Sequence, residues 1–190
     1  MVYGYYNKVQ RRFNIRSRIS SSAIIIDKNK LDIDDNTWIW HYSIIDASNG
    51  IKIGKGCQIG AWVGIFTHGS HFAIRLLGDK YIEIPKDDRV GYQRGPVEIG
   101  DYTFIGAQSI ILPNIHIGKG CIISAMSMVT KSVPDYAIVS GNPAEVIGDT
   151  RNIDKKYLNK SEIQNSYYDK SIVDDFLQEK LAKKDNKNEK

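Results

Sequence analysis

The chain has 190 residues, 42% hydrophobic and 25% charged, with a formal net charge of +4 and two cysteines. That length and apolar share suit one well-buried domain with short appendages, and two cysteines exclude a disulfide framework. The positive excess collects at the ends, at Lys8, Arg11, Arg12, Arg16 and Arg18 and at Lys180, Lys183, Lys184, Lys187 and Lys190, which points to solvated tails or partner docking rather than a nucleic-acid groove.

Residues 1–18 mix aromatic and basic side chains, and a short amphipathic helix covering an open end of the fold is expected there. The same stretch lacks the apolar core of a signal peptide, and no apolar run reaches bilayer length. No integral membrane segment and a cytoplasmic location are therefore expected. Ser20 to Lys30 reads as a lead-in strand and turn, which makes residues 1–32 an N-terminal segment.

A period of six begins at Ile33. Aliphatic residues follow at Ile39 and Ile45, then two extra residues intervene before Ile53, Ile59 and Ile65. After a break the series runs from Ile99 through Ile105, Ile111, Ile117 and Ile123 to Val129 without a slip. Six is neither a helical nor a hairpin period. It fits the hexapeptide class of parallel β-helix repeats, in which each hexad supplies one flat face and its aliphatic residue points into the core. Three hexads make a coil, so coils are expected over residues 33–50, 53–70, 99–116 and 117–134.

Cys57 and Cys121 each sit four residues after a repeat aliphatic, a slot that elsewhere holds Thr37, Ser43, Val63, Thr103, Ser109 and Ser127. They read as small buried residues, not as catalytic thiols. Between the second and third coils the excursion 71–95 (HFAIRLLGDKYIEIPKDDRVGYQRG) breaks the period. A long insertion into a rigid solenoid belongs at a functional edge. Its Arg75, Asp79, Tyr81, Asp87, Asp88, Arg89, Tyr92 and Arg94 are candidates for contact with an acceptor or a neighbouring subunit. After Pro134 the chain is expected to leave the solenoid, whose domain spans 33–148. Residues 149–190 form a charged tail in which SIVDDFLQEKLAKK suits a helix and DNKNEK suits disorder.

The hexads, the segment IFTHGSH before the excursion, IGDYTFIGAQSIILPNIHIG after it, and the pair VTKSVP and GNPA together resemble the hexapeptide-repeat acyltransferases, in their sugar and antibiotic O-acetyltransferase branch. The resemblance covers residues 33–148 and implies an all-β fold, a left-handed parallel β-helix with short helical terminal extensions and one long loop excursion. The left hand comes from the resemblance alone, since the general crossover preference is right-handed.

The resemblance further implies direct attack of an acceptor hydroxyl on the thioester of acetyl-coenzyme A, with a histidine as general base. It places that base at His71, with His68 as orienting partner or substitute. Gly106 and Ala107 match positions beside the thioester and pantetheine arm, while Ala125, Thr130 and Lys131 match cofactor contacts farther along. Two positions depart from the pattern. Glu145 stands where relatives carry a basic residue after GNPA, with Arg151 nearby to compensate, and Trp40 stands where maltose-type members use an acceptor asparagine. His41 and His116 are left as peripheral positions, and no histidine triad suited to zinc is present.

The expected activity is O-acetylation of a saccharide hydroxyl, on a nucleotide sugar or a surface-polysaccharide unit, by a homotrimer with active sites between subunits. No metal is required. N-acylation of an amino sugar, antibiotic acetylation and a non-catalytic trimeric scaffold remain as alternatives.

Overall fold

The computed structural model of the chain describes residues 2–188. Strands β1 (Val2–Asn7) and β2 (Arg12–Ile19) form an antiparallel hairpin, and β3 (Ile24–Ile26) follows. The first complete coil holds β4 (Leu31–Ile33), β5 (Trp38–Ile39) and β6 (Ile44–Asp46), and the second holds β7 (Ile51–Ile53), β8 (Gln58–Ile59) and β9 (Gly64–Phe66).

The excursion then begins with β10 (His68–Gly69) and α1 (His71–Leu77). It passes two 3-10 turns, Gly78–Ile82 and Lys86–Asp88, and returns through β11 (Gln93–Arg94). The third coil holds β12 (Val97–Ile99), β13 (Phe104–Ile105) and β14 (Ile110–Ile111). The fourth holds β15 (Ile115–Ile117), β16 (Ile122–Ile123) and β17 (Met128–Val129). Strands β18 (Ala137–Gly141) and β19 (Ala144–Asp149) close the series.

Each coil gives one strand to each of three sheets. The first sheet runs β1-β2-β5-β8-β13-β16-β18-β19, the second β3-β6-β9-β14-β17, and the third β4-β7-β12-β15. Pairing between coils is parallel and in register, so the period-six aliphatics stack in three columns. Ile39, Ile59, Ile105 and Ile123 form one, Ile45, Ile65, Ile111 and Val129 the second, and Ile33, Ile53, Ile99 and Ile117 the third. All are buried, and each contributes about 1.5–3 kcal/mol of transfer free energy.

The small-residue slot has a specific use. Thr37 Oγ1 donates to Gly54 O at 2.8 Å, Ser43 Oγ to Gly60 O at 2.9 Å, Thr103 Oγ1 to Gly118 O at 2.8 Å and Ser109 Oγ to Ser124 O at 2.9 Å. Cys57 and Cys121 occupy the same ladder, with Sγ 3.1 Å from Gly100 O and 3.0 Å from Pro134 O. A hydroxyl or thiol there satisfies a corner carbonyl of the next coil that a methyl group would leave unpaired.

Three expectations are corrected. No helix forms over residues 1–18; the hairpin of β1 and β2 does instead. It covers the open end with polar groups: Asn7 Nδ2 and Asn14 Nδ2 donate to Ile33 O at 2.8 and 2.5 Å, and Ser17 Oγ donates to Asp34 O at 3.1 Å. After Pro134 the chain stays on the stack, because β18 pairs in parallel with β16 and sets Val139 beside Ile123. The disorder expected from residue 185 gives way to helical backbone through Asn188, in keeping with the helix propensity of its lysines; residues 189 and 190 lie outside the described residues.

The chain divides into two compact units, residues 1–148 and 149–190. The second unit contains α2 (Thr150–Asp154), α3 (Ser161–Ser166) and α4 (Lys170–Asn188). Leu158, Ile172 and Val173 are buried there, and the Tyr167 hydroxyl donates to Asp154 Oδ2 at 2.5 Å.

Candidate active site

The corner between the second and third sheets in coil two is where the excursion leaves and returns. Strand β10 pairs antiparallel with β11, His68 opposite Arg94 and Gly69 opposite Gln93. Gly95 N donates to Thr67 O at 3.1 Å, which closes the neck of the excursion. His68 is thus held on a short two-stranded ribbon, not on a free loop.

Its imidazole has a carboxylate partner from the preceding coil. Nδ1 of His68 lies 2.6 Å from Oδ2 of Asp46, whose side chain is 2% exposed against 35% for the histidine. Neither atom has a hydrogen-bond partner among the described residues, so their approach is that of an ion pair and not of an aligned hydrogen bond. Asp46 is fixed in turn, because its Oδ1 accepts from Ser48 N at 3.1 Å and from Ser48 Oγ at 2.5 Å. Thr67, next to His68, donates from Oγ1 to Asp46 O at 2.8 Å and accepts from Asn49 N at 3.0 Å. A carboxylate beside Nδ1 favours the tautomer with its proton on that nitrogen, which makes Nε2 the basic nitrogen of the neutral ring.

Tyr92 lies nearly parallel to the His68 ring, with centroids 5.8 Å apart and planes 13° apart. It also forms one wall of a cavity of about 410 Å³, lined by Tyr92, Gln93, Arg94, Leu112, Pro113, Asn114 and Thr130. The cavity follows the same corner down through coils three and four. Arg94 is held by the side chain of Asp87, within the excursion.

His71 stands differently. It is the first residue of α1, is exposed, and packs its ring against Phe72 with centroids 4.2 Å apart. No carboxylate pairs with it among the described residues.

The other sequence-selected residues fall in two places. Thr130 and Lys131 follow β17 on the His68 corner, with Thr130 in the cavity wall and Lys131 Nζ 3.8 Å from Glu145 Oε1. Gly106, Ala107 and Ala125 stack at the next corner, between the first and second sheets, where Met126 N donates to Ala107 O at 2.9 Å. Gly106 has to be glycine: a Cβ there would lie 2.7 Å from both Ala125 Cα and Ile123 O, and backbone cannot yield as a flexible side chain can. The Gly106 N–H donates to Ile123 O at 2.8 Å, so it is not available to a thioester oxygen. One chain therefore does not bring this group to His68; the width of the second sheet separates them.

The remaining candidates have local partners. His41 Nδ1 lies 2.8 Å from Ser20 Oγ, and His116 Nδ1 lies 3.6 Å from Glu98 Oε2 on the third sheet. Arg151 is engaged by Asp149, and that hydrogen-bonded ion pair holds the Asp149 carboxyl below its ordinary value. Cys57 and Cys121 are pushed up to about 12 and about 11 by burial, which keeps both as thiols at neutral pH. Among the described residues no group of three His, Cys, Asp or Glu side chains could hold a metal ion, and no helix is long and apolar enough to cross a membrane.

Asp46 was not among the residues selected from sequence. The available signal is the pair of extra residues after Ile45, which interrupts the period on the coil directly beneath His68.

Comparison with known proteins agrees with this architecture. A chloramphenicol acetyltransferase from Agrobacterium fabrum (strain C58 / ATCC 33970) is 43% identical over 114 residues, which cover 54% of this chain and 53% of that protein. The chain spans about a third to a half of the length of the first curated relatives it matches. Among solved structures, a maltose O-acetyltransferase from Clostridium difficile 630 superposes with a TM-score of 0.57 at 26% identity, covering 70% of this chain and 66% of that one. A galactoside acetyltransferase in complex with coenzyme A gives 0.58 at 22% identity over 74% and 68% of the two chains, a likeness of fold. Residues 96–131 match the family described as bacterial transferase hexapeptide (six repeats). That match falls on the third and fourth coils, whose period-six aliphatics Ile99 to Val129 are the repeat the family model describes.

Proposed function

We propose that this chain is an acetyl-coenzyme A-dependent O-acetyltransferase that acts on a hydroxyl of a saccharide, with His68 as general base and Asp46 as its positioning residue. The observation that carries the reading is the 2.6 Å contact between His68 Nδ1 and the buried Asp46 carboxylate, on an imidazole stacked against Tyr92 of the cavity wall. The galactoside enzyme of like fold is bound to coenzyme A, which supports a coenzyme A thioester as donor. The maltose enzyme supports a saccharide acceptor.

In the reaction, the acceptor hydroxyl attacks the thioester carbonyl carbon as Nε2 of His68 takes its proton. A hydroxyl is a weak nucleophile at neutral pH, and an imidazole within hydrogen-bond reach removes that barrier as the new bond forms. The tetrahedral intermediate collapses by breaking the carbon–sulfur bond. The imidazolium returns the proton to the departing thiolate, and the Asp46 charge stabilises the imidazolium in between. Thr130 and Lys131, farther down the same corner, face the donor. No protein thiol takes part, in keeping with the buried ladder positions of Cys57 and Cys121.

The same reading includes association into a homotrimer of left-handed coils. The second sheet presents Ile24, Ile44, Ile110 and Met128 in one outward register, a flat apolar face with His68 at one margin and the Gly106, Ala107 and Ala125 corner at the other. A second copy on that face would bring its Gly106 corner toward the first copy's His68.

The test is a screen of acetyl-coenzyme A consumption against sugars, nucleotide sugars and antibiotics, with mass spectrometry locating the new acetyl group. Acetyl on a saccharide oxygen is the expected product. Transfer only to nitrogen, or none that the His68→Ala variant abolishes, refutes the assignment.

A further inference from the structure

The hairpin of β1 and β2 has two unlike faces. The inner one is polar and committed, through Asn7, Asn14 and Ser17, to the strand-edge groups of coil one. On the outer one Tyr6 stands opposite Phe13 in register, and Tyr3, Tyr6, Phe13, Ile15 and the turn residue Val9 are all exposed. Single exposed apolar residues need no explanation, whereas a group of five on one hairpin marks an interaction surface.

Charge narrows the partner. Residues 1–26 contain five Lys and Arg and no Asp or Glu. Arg12 and Arg16 are tied to Asp34 and Asp35, and Arg18 lies over the rings of Tyr3 and Trp38, at 4.7 and 4.4 Å from their centroids. Lys8 and Arg11 differ. They flank Val9 at the turn, Lys8 bonds only the neutral amide of Asn29 at 3.1 Å, and neither is paired with a carboxylate among the described residues. Of the carboxylates near this end, Asp27 pairs with Lys30 at 3.0 Å and Asp32 accepts from Gln10 Nε2 at 2.7 Å, so with Lys8, Arg11 and Lys28 the end keeps a cationic surplus.

We infer that this outer face docks on an anionic lipid bilayer. Lys8 and Arg11 would meet the headgroup charge, while Tyr6, Phe13 and Ile15 enter the interfacial zone where aromatic and aliphatic side chains lose water. Docking of a second copy on the same face is the alternative that the experiment separates. The inference is independent of the catalytic assignment.

The experiment is co-sedimentation of the full chain with vesicles of phosphatidylcholine alone and with roughly 30 mol% phosphatidylglycerol, at low and at physiological salt. The protein should sediment with the anionic vesicles, more weakly as salt rises, and not with phosphatidylcholine. The double variants Lys8→Glu/Arg11→Glu and Tyr6→Ser/Ile15→Ser should each weaken partition by about tenfold or more with the unfolding midpoint retained. Phe13 is left intact because its ring packs over Gly4. Absence of binding at low salt, or binding by both variants equal to the parent, overturns the inference. So does a change of oligomeric state in Tyr6→Ser/Ile15→Ser without vesicle binding by the parent, which would give the face to a second copy.

Discussion

His68 and Asp46 touch at 2.6 Å although they lie on successive coils and 22 residues apart, because β6 and β9 pair in register and carry both side chains to one corner. The pairing sets Asp46 beside Phe66, and Thr67 then ties back to the Asp46 carbonyl before the chain reaches His68. Stacking of coils thus does for this pair what a long-range hydrogen-bond network does in less regular folds.

The first prediction separates the two histidines at the mouth of the excursion. His68→Ala should lower acetyl transfer by about 10²–10⁴-fold, the usual worth of a positioned general base. His71→Ala should remain within a few-fold of the parent, since His71 is exposed against Phe72 and no carboxylate pairs with it among the described residues. Steady-state kinetics on both variants, with donor binding followed by thermal shift, decides between them. Loss of activity in His71→Ala alone would move the base to α1.

A second prediction concerns the carboxylate. Asp46→Asn keeps the volume and the bonds to Ser48 but removes the charge that holds the imidazole, so kcat should fall more than about tenfold with little change in KM. A merely structural aspartate would show the reverse, a lower unfolding midpoint and an unchanged rate.

How far the sequence discloses this site depends on what kind of side chain signals it. The coils are legible because one aliphatic residue in six must face the core, and Ile33 through Val129 keep that count wherever the coil length is constant. The hairpin is not, because its buried residues Asn7, Asn14 and Ser17 are polar, chosen to bond strand-edge carbonyls, while its exposed ones include the apolar Tyr3, Tyr6, Phe13 and Ile15. Hydrophobic patterning therefore reads it inside out. Strand β18 is hidden by a coil two residues short, since Ile117 pairs with Val133 and Ile123 with Val139 at separations of sixteen. Asp46 looks like part of a surface turn, DASNG, until pairing shows that it is buried.

The third prediction follows from the cysteine ladder. Burial holds Cys57 at about 12 and Cys121 at about 11, well above the value of an exposed thiol. Between those limits the unfolded chain has lost protons that the folded chain keeps, so stability is fully present below about pH 9 and falls as pH rises toward 12. Urea unfolding at increasing pH should show that decline, reduced in Cys57→Ala. Thiol reagents at pH 8 should label neither cysteine until the protein unfolds, and Cys57→Ala should still transfer acetyl.

Packing supplies a fourth. Gly106→Ala sets a Cβ against the backbone of Ile123 and Ala125, and these strands are held on both sides, so it should cost about 1–3 kcal/mol or more. Gly69→Ala is the control, because there the nearest atom is His71 Nδ1 at 3.4 Å, on a side chain that can turn away. Chemical denaturation of the two variants measures the difference.

The last prediction concerns the donor. Lys131 and Glu145 approach to 3.8 Å with 78% and 67% of their side chains exposed, so this pair adds little to stability. Its effect is on charge: in the proposed reading Lys131 meets the phosphates of the donor, and Glu145 beside it would offset part of that attraction. Lys131→Ala should raise the KM for acetyl-coenzyme A by roughly 3–10-fold with kcat nearly kept. Glu145→Ala should lower the KM, and Glu145→Lys should lower it further, with both gains shrinking as salt rises. Unfolding midpoints should stay unchanged in all three. If Glu145→Lys instead raises KM, the phosphates bind elsewhere and Lys131 is a solvated corner charge.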